Sequence, residues 1–357
     1  MPPHGDTTPD GDAVRLMAAA DRPLLGEVPV VQAPLAGGPS TPELTAAVAR
    51  AGGFGFLAAG YRSPEQLTGL IAATRERGAE RFGVNLFVPS APADPATVQR
   101  YGRHIQPASE RLGVAPGEPV WDDDAFGDKL DIVASERVGT VSFTFGCPDS
   151  AVVDRLHRAG CRVAVTVTSG REARVAEGVG ADLVVAQGTE AGGHQGSFLD
   201  LTPNLTPLSV LVDEVRAAST LPVVASGGIM TGSRAAEVLG QGAVAVQLGT
   251  AFLCAAEAGT SAVHRTALLE QTYAHTIVTR AFSGRFARGL ANDFALRYGD
   301  SAPEAYPEVH HLTAPLRAAA TAAGDPSIPN LWAGSGWRDV RPEPAGAVVR
   351  RIAAELR

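Results

Sequence analysis

The sequence is poor in cysteine and in aromatic side chains, and it has no apolar run long enough to cross a bilayer. Its three cysteines, Cys147, Cys161 and Cys254, are odd in number and show no Cys-x-x-Cys spacing. This argues against a disulfide framework and against a thiolate metal site. Small buried apolar positions suit all three best, although Cys147 follows a predicted strand and is a minor candidate nucleophile. We therefore expect no bound metal and no membrane segment.

The N-terminus also lacks a targeting signal. Residues 1–12 are polar and rich in proline and glycine, without the basic start and apolar core of a signal peptide. We expect a cytoplasmic protein whose residues 1–22 form a flexible tail.

Positive charge is scarce. The chain has 30 Lys and Arg residues and 38 Asp and Glu residues, which gives a formal net charge of −8. The sequence shows no basic stripe. Nucleic acid is therefore excluded as an expected partner. A chain of 357 residues can bury a full core, and it suits one large α/β domain with a smaller second part. Small molecules are the expected partners, and we expect a monomer or a homodimer.

Short apolar runs that alternate with segments of helical composition dominate the middle of the chain. Eight of these runs lie at residues 28–34, 54–60, 82–88, 140–146, 162–168, 183–187, 222–228 and 243–249. Strands that are apolar on both faces and alternate with helices predict a parallel sheet. Eight such units over about 250 residues favour a (β/α)8 TIM barrel over a doubly wound open sheet. The glycines at 52–55 precede a strand, so they do not form a dinucleotide loop.

Two stretches exceed the needs of a bare barrel. Residues from about 94 to 130 separate the third and fourth strands by more than one helix, and residues from about 271 to 338 follow the eighth. We expect these stretches to build a smaller, mainly helical cap over one end of the barrel. The predicted domains are a barrel over 23–270, with the helical insertion, and a C-terminal cap segment with a closing helix over 271–357.

A glycine-rich loop follows the sixth predicted strand. Residues 187–198 place His194 among four glycines, which lets the backbone approach a flat ligand closely. In a TIM barrel this loop lies at the C-terminal face of the strands, where active sites are found. A long turn with a surface histidine is the competing interpretation.

The loops after the seventh and eighth strands predict a phosphate site. Gly227 and Gly228 precede a helix, and Gln247, Leu248, Gly249 and Thr250 end the last strand. Backbone N–H groups at glycine turns and helix N-termini bind phosphate, and TIM barrels often place that site after strands seven and eight. The competing interpretation is that these glycines only allow close packing at the barrel rim. It would explain either loop alone, but it explains the two loops together less well.

Two amide side chains end or interrupt strands. Asn85 and Gln187 can read the ring edge of a flavin by donating and accepting hydrogen bonds, or they can hold loop backbone in place. Gly192 and Gly193 suit a loop that lies against an isoalloxazine plane.

Five stretches together resemble the nitronate monooxygenases, formerly called 2-nitropropane dioxygenases, and most closely the first class of that family. They are residues 32–38, 82–87, 187–196, 226–229 and 247–250, and the resemblance extends from about 28 to 337. The resemblance implies an FMN-dependent barrel with a helical second domain. It also implies oxidation of alkyl nitronates, such as propionate 3-nitronate, by dioxygen to a carbonyl compound and nitrite.

The resemblance also implies individual roles. His194 falls on the position of the active-site histidine. FMN-contacting positions fall on Ala33, Pro34, Leu35, Asn85, Gln187, Gly192, Gly193, Gly227, Gly228, Gln247, Leu248, Gly249 and Thr250. Leu35 stands where many members have methionine, and the two are similar in volume. Ser335 stands where glutamine is expected, so no role is carried over to that side chain.

His194 has two possible tasks in such an enzyme. It can remove the α-proton of a neutral nitroalkane as a general base, or its protonated form can hold the anionic nitro group. Glu190 either orients His194 or is an exposed loop carboxylate. Tyr298, Tyr306, His310 and His311 are candidates to close over substrate. A cluster of arginines, Arg280, Arg285 and Arg288, is expected on a solvated surface, with a second phosphate contact as the alternative.

Three other functions stay open. A flavin-dependent enoyl-acyl-carrier-protein reductase resembles the same fold, FMN site and histidine loop, but it would consume NAD(P)H. An inosine-monophosphate dehydrogenase would share the phosphate loops, but Cys147 is badly placed for its nucleophile. A non-catalytic FMN-binding sensor or carrier would have no use for His194.

Overall fold

The computed structural model describes residues 25–356 and forms a closed barrel of parallel strands. The eight barrel strands are β1 (Val30–Gln32), β2 (Phe54–Ala58), β3 (Gly83–Phe87), β4 (Thr140–Thr144), β5 (Arg162–Val167), β6 (Leu183–Gln187), β8 (Val223–Ser226) and β9 (Ala245–Leu248). The predicted TIM barrel is confirmed, with each apolar run supplying one strand. The predicted tail over residues 1–22 lies outside the described residues.

The barrel closes between its first and last strands. The spatial order is β1-β2-β3-β4-β5-β6-β8-β9, and β9 pairs in parallel with β1 through Val246 and Val30. Nearly every strand residue is buried, because helices cover the outer face and side chains fill the inner face. All eight strands therefore point their carboxyl ends to one rim.

Helices separate the barrel strands along the chain, and one follows the last strand. They are α1 (Pro42–Arg50), α2 (Pro64–Glu76), α3 (Pro95–His104), α4 (Gln106–Leu112), α5 (Phe126–Ser135), α6 (Ser150–Arg158), α7 (Gly170–Gly178), α8 (Leu208–Ala218), α9 (Gly232–Gly240) and α10 (Ala262–Leu269). Local sequence signals set their starts. The Thr41 hydroxyl accepts the Leu44 N–H at 3.0 Å, and Ser63 forms a reciprocal capping box with Gln66.

The cap combines both stretches that exceed the barrel. Helices α11 (Asp293–Tyr298) and α12 (Glu308–Ala322) share one apolar cluster with α3 and α4, built around side chains such as Tyr101, Phe282 and Phe294. The Tyr101 hydroxyl donates to the Ala281 carbonyl at 2.6 Å. By contrast, α5 packs back on the barrel through Leu130 and Val133.

A small antiparallel sheet in the cap was not expected from the sequence. Its strands are β7 (Gly193–His194), β10 (Thr276–Thr279) and β11 (Ala287–Leu290), in the order β10-β11-β7. The sheet joins the loop after β6 to the C-terminal segment, since His194 pairs with Ala287 and Gly193 with Arg288. The glycine-rich loop is therefore part of the cap as well as of the barrel.

The last helix, α13 (Ala345–Ala354), seals the outside of the barrel. Its apolar face, including Val348, Val349 and Ile352, shares a cluster with Val30 and Leu44 of the first β/α unit. Among residues 25–356, no helix combines the length and apolar character that crossing a membrane requires.

Candidate active site

One cavity of about 360 Å³ lies between the C-terminal rim of the barrel and the cap. Every residue that the sequence analysis assigned to the site lines it. These residues are Ala33, Pro34, Leu35, Asn85, Gln187, Gly192, Gly193, His194, Gly227, Gly228, Gln247, Leu248, Gly249 and Thr250. They come from five barrel strands or the loops that follow them, and are brought together by the barrel, not by proximity in the sequence.

The two candidate phosphate loops meet at one side of this cavity. Gly227 and Gly228 have φ angles of 136° and 65°, which glycine adopts without the strain that a side chain would cause. A Cβ atom on Gly228 would lie 2.9 Å from Cβ of Glu190 and 3.1 Å from Oγ of Ser335. Across the cavity wall, Gly249 begins a short 3₁₀ helix at Thr250–Phe252. The bare backbone of both loops fits a phosphate group.

Asn85 is buried and presents one end of its amide to the cavity. Its Oδ1 accepts hydrogen bonds from the Ser142 hydroxyl at 2.8 Å and from the Thr144 hydroxyl at 3.0 Å. These contacts use the amide oxygen and leave the amide nitrogen available to a ligand. Asn85 thus fits the role of donor to an acceptor atom on a flavin ring.

Gln187 instead holds the loop that follows it. Its Nε2 donates to the carbonyl of His194 at 3.0 Å, and its Oε1 accepts the N–H of Gly196 at 2.7 Å. Both ends of the amide are therefore occupied by backbone. Of the two roles open at the sequence level, the structure shows loop support for Gln187.

The two neighbouring loop glycines are needed for different reasons. Gly193 has a φ of 79°, and the space where its side chain would lie is open. Gly192 lies against the cap, where a Cβ atom would come within 2.4 Å of the Gly334 nitrogen. Only Gly193 therefore leaves free room beside a flat ligand, while Gly192 permits the close approach of the 333–334 backbone.

His194 lies in β7, with its ring held between the barrel and the cap. Its Nε2 is 2.8 Å from the buried hydroxyl of Ser283. Three aromatic rings surround the imidazole at 5.4 to 5.9 Å between centroids, those of Phe145, Tyr306 and Trp332. The imidazole is thus fixed in direction, and the residue is half-buried at the wall of the cavity.

The surroundings of His194 favour its neutral form. Burial lowers the pKa of the imidazole from 6.5 to about 3, and the positive charges of Arg285 and Arg317 act in the same direction. His264 lines the same cavity, and burial lowers its pKa to about 4. A hydrogen bond with the backbone of Trp332 opposes part of this decrease. Its Nε2 is buried without a hydrogen-bond partner and is a second group that a ligand can satisfy.

These buried imidazoles predict a loss of stability in mild acid. The unfolded chain protonates both histidines near pH 6.5, whereas the folded protein keeps them neutral down to about pH 4. Their contribution to the free energy of unfolding is complete above pH 6.5 and falls as the pH decreases. For each histidine, the fall is at most about 1.4 kcal/mol for every pH unit. Urea unfolding of the apoprotein from pH 7.5 to 5 measures this loss.

A variant isolates the contribution of one histidine. His264→Asn keeps an amide donor for the Trp332 backbone but cannot take up a proton. Its stability is expected to fall less steeply with decreasing pH than that of the unsubstituted protein. Parallel profiles for the two proteins would contradict the assignment of this loss to His264.

Two of the four candidate cap residues reach the site. The ring of Tyr306 contacts His194, and His310 lines the cavity. Tyr298 is buried in the cap core, and Nε2 of His311 lies 2.7 Å from a carboxylate oxygen of Asp122 at the surface. Further residues that the sequence did not indicate also line the cavity, namely Tyr61, Phe87, Phe145, Phe282, Ser283, His264, Arg317 and Trp332. Most of them come from the cap or from loops without a sequence motif.

The expectation of a solvated arginine cluster is wrong. Arg280 pairs with the buried Asp200 at 3.0 Å, and Arg285 is 4% exposed with its guanidinium 4.2 Å from the centre of the Phe145 ring. Arg288 donates to the carbonyl of Thr189 at 2.7 Å. These side chains join the cap to the segment that follows β6, because Arg280 pairs with the Asp200 carboxylate and Arg288 donates to the Thr189 backbone.

Three other candidates receive a structural role. The carboxylate of Glu190 accepts the Leu208 N–H at the start of α8, at 3.0 and 3.2 Å, and so does not orient His194. Ser335 contributes its backbone N–H, which donates to the Glu190 carbonyl at 2.9 Å. Burial raises the pKa of the Cys147 thiol to about 11, which disfavours a nucleophilic thiolate.

Comparison with known proteins agrees with this geometry. A family model described as nitronate monooxygenase matches residues 22–355. A probable nitronate monooxygenase from Staphylococcus aureus (strain JH9) is 34% identical over 337 residues, which cover 92% of this chain and 94% of the relative. The structure of a nitroalkane oxidase from Streptomyces ansochromogenes is 46% identical with a TM-score of 0.90, covering 93% of this chain and 96% of that one. FabK from Thermotoga maritima is 26% identical with a TM-score of 0.73, covering 93% and 94%. The similarity spans both barrel and cap.

Proposed function

Because this chain belongs to the nitronate monooxygenase family of flavin-dependent oxidoreductases, we propose that it oxidises alkyl nitronates such as propionate 3-nitronate. Dioxygen is the second substrate, and the products are a carbonyl compound and nitrite. The observation that carries the proposal is the position of His194, a neutral imidazole that lines the same cavity as the glycine turns after β8 and β9. The proposed location is the cytoplasm, as a monomer or homodimer.

FMN is the proposed cofactor, and the residues present fit it. The glycine turns at Gly227–Gly228 and Gly249–Thr250 would hold its phosphate, and the Asn85 amide nitrogen would donate to its ring. Ala33, Pro34 and Leu35 would lie along the ring from the first strand. When bound, FMN supplies the electron-accepting chemistry of the oxidation.

We propose that His194 acts as a general base toward neutral nitroalkanes. The Ser283 hydroxyl can donate to the carbonyl of Arg285 at 3.3 Å, and it then accepts a hydrogen bond from Nε2 of His194. In that arrangement Nδ1 keeps its lone pair and can take the α-proton of a nitroalkane. The alternative role, a protonated His194 that holds the nitro group, is disfavoured because Arg285 and Arg317 already place positive charge nearby.

The substrate half of the cavity is apolar and tightly lined. The rings of Phe87 and Phe145 stack, and the ring of Tyr306 packs edge to face against both. The centroids of these three rings are 4.5 to 6.4 Å apart. Such a lining excludes water from the base and leaves room for a short alkyl chain. These residues position the substrate and do not themselves exchange protons, since burial holds the pKa of the Tyr306 hydroxyl well above its ordinary value.

The purified protein should be yellow and should release nitrite from propionate 3-nitronate without NADPH. The flavin should be reduced by the nitronate in the absence of oxygen. Rapid bleaching by NADPH with no nitrite release would favour the reductase function suggested by the similarity to FabK. Flavin binding without reduction by either compound would indicate a binding protein.

A further inference from the structure

Three hydroxyl side chains form a hydrogen-bonded group with Asn85 across neighbouring strands of the barrel. Ser142 and Thr144 lie on β4, which pairs in parallel with β3 so that Ser142 is directly opposite Asn85. Because alternate residues of a strand point to the same face, Ser142 and Thr144 both reach the amide. The third hydroxyl belongs to Thr166 on β5, which pairs with the other side of β4.

The hydrogen bonds of this group run in one direction. The hydroxyls of Ser142 and Thr144 both donate to Oδ1 of Asn85, at 2.8 and 3.0 Å. A hydroxyl has one hydrogen, so Thr144 has none left to donate to Thr166. In the 3.4 Å contact between the two threonine hydroxyls, Thr166 is therefore the donor. All three hydroxyls thus direct their hydrogens toward the amide oxygen, either directly or through Thr144.

This arrangement decides which end of the Asn85 amide is left for a ligand. An amide has an accepting end and a donating end of nearly equal shape, so its neighbours determine how it is turned. Here two donors hold the oxygen. The nitrogen donates to no protein group in the part of the chain that the structure describes, and Asn85 lines the cavity. The two hydrogens of the amide nitrogen are therefore available to an acceptor atom in the cavity.

Ser142 differs from the two threonines in its position relative to the cavity. Its side chain is buried and is not among those that line the cavity, whereas Thr144 and Thr166 are. Branched apolar side chains usually fill the interior of a TIM barrel, so packing alone does not call for a hydroxyl at position 142. Because Ser142 donates to Asn85, its influence on a bound ligand would pass through that amide.

We propose that Ser142 and Thr144 are positioning residues that fix the Asn85 amide with its nitrogen toward a hydrogen-bond acceptor of the flavin ring. The proposal rests on FMN as the proposed cofactor. A donor that is already oriented binds its acceptor without losing an alternative orientation, which strengthens binding. A hydrogen bond donated to the ring also favours the electron-rich reduced flavin, so the two hydroxyls affect its reduction potential as well as its affinity.

Removing one hydroxyl at a time tests this role. Ser142→Ala and Thr144→Val should each weaken the binding of FMN to the apoprotein about 3- to 10-fold, the effect of one neutral hydrogen bond. The reduction potential of the bound flavin should become more negative in both variants, because the amide nitrogen no longer faces the ring in every molecule. Fluorescence titration with FMN and anaerobic reduction against a reference dye measure these two quantities without turnover.

Two further variants separate an indirect role from a direct or a merely structural one. Thr140→Val is the matched control, since Thr140 is also buried on β4 but begins the strand and does not line the cavity. It should leave both the FMN affinity and the reduction potential unchanged. Asn85→Leu removes the amide and completes a double-mutant cycle. In the Asn85→Leu background, Thr144→Val should change the FMN affinity by less than about twofold.

Two results would overturn the proposal. One is an unchanged FMN affinity and potential in both Ser142→Ala and Thr144→Val. The other is a full effect of Thr144→Val in the Asn85→Leu background, which would show that the threonine contacts the flavin itself. A protein that binds FMN as expected but releases no nitrite from nitronates would refute the proposed function and leave this assignment standing. An unsubstituted protein that binds no FMN would refute both.

Discussion

Replacing His194 by asparagine should lower kcat/KM for neutral nitroethane by about 100- to 10,000-fold, the range that general-base catalysis contributes. The expected reason is the loss of a neutral imidazole that the Ser283 hydroxyl holds in a fixed direction. Ethyl nitronate has already lost its α-proton, so its oxidation should fall much less. Initial rates of nitrite release from both compounds, followed at several pH values, measure the difference.

The neighbouring serine provides a matched control for this substitution. Ser283→Ala removes the hydroxyl 2.8 Å from Nε2 of His194 and leaves the imidazole in place. It should reduce nitroethane turnover moderately, because the ring loses its fixed direction but keeps its basic nitrogen. A small and equal effect of His194→Asn on nitroethane and ethyl nitronate would show that the imidazole is not the base.

Gly228→Val should abolish tight FMN binding and yield a colourless protein. At a φ of 65° a β-branched residue is strained by roughly 1–2 kcal/mol, and its Cβ would lie 2.9 Å from Cβ of Glu190. The turn would have to move away from the phosphate position, which should weaken FMN binding about 100-fold or more, or at least ~2.7 kcal/mol. Flavin absorbance after purification and fluorescence titration with FMN measure the loss.

A second glycine distinguishes the effect on the site from an effect on folding. Gly240 ends α9, close in sequence to Gly228, and a side chain there would meet open space without a positive φ. Gly240→Ala should therefore retain FMN and its yellow colour. If Gly228→Val kept normal FMN affinity while remaining folded by circular dichroism, the phosphate site would have to lie elsewhere.

The barrel could be predicted because its signal is local and repeated. Each apolar run such as 183–187 is long enough for one buried strand, and helix starts such as Thr41 and Ser63 carry their own capping residues. In a TIM barrel, strand direction alone determines which residues lie at the C-terminal rim. The site residues at strand ends could therefore be grouped correctly without knowledge of their contacts.

The cap could not be predicted in the same detail, because its structure depends on pairs that are distant in the sequence. β7 has two residues and gains its strand geometry from β11, more than 90 positions later. Arg280 and Arg285 have the composition of a surface segment, and only Asp200 and Phe145 explain their burial. For the same reason the sequence did not indicate Arg317, whose place at the cavity depends on contacts with Thr313 and Asn330 in the cap.

The pairing of His194 with Ala287 has a consequence for how such enzymes can diversify. His194 is attached to the cap through β11 and to the barrel through β6, so a recombinant that exchanges residues 271–338 for those of a distant relative would also displace the imidazole. Successful chimeras should need the donor's version of residues 192–196 as well. New substrate preferences are then easier to acquire by single substitutions in the cap than by exchange of the whole cap.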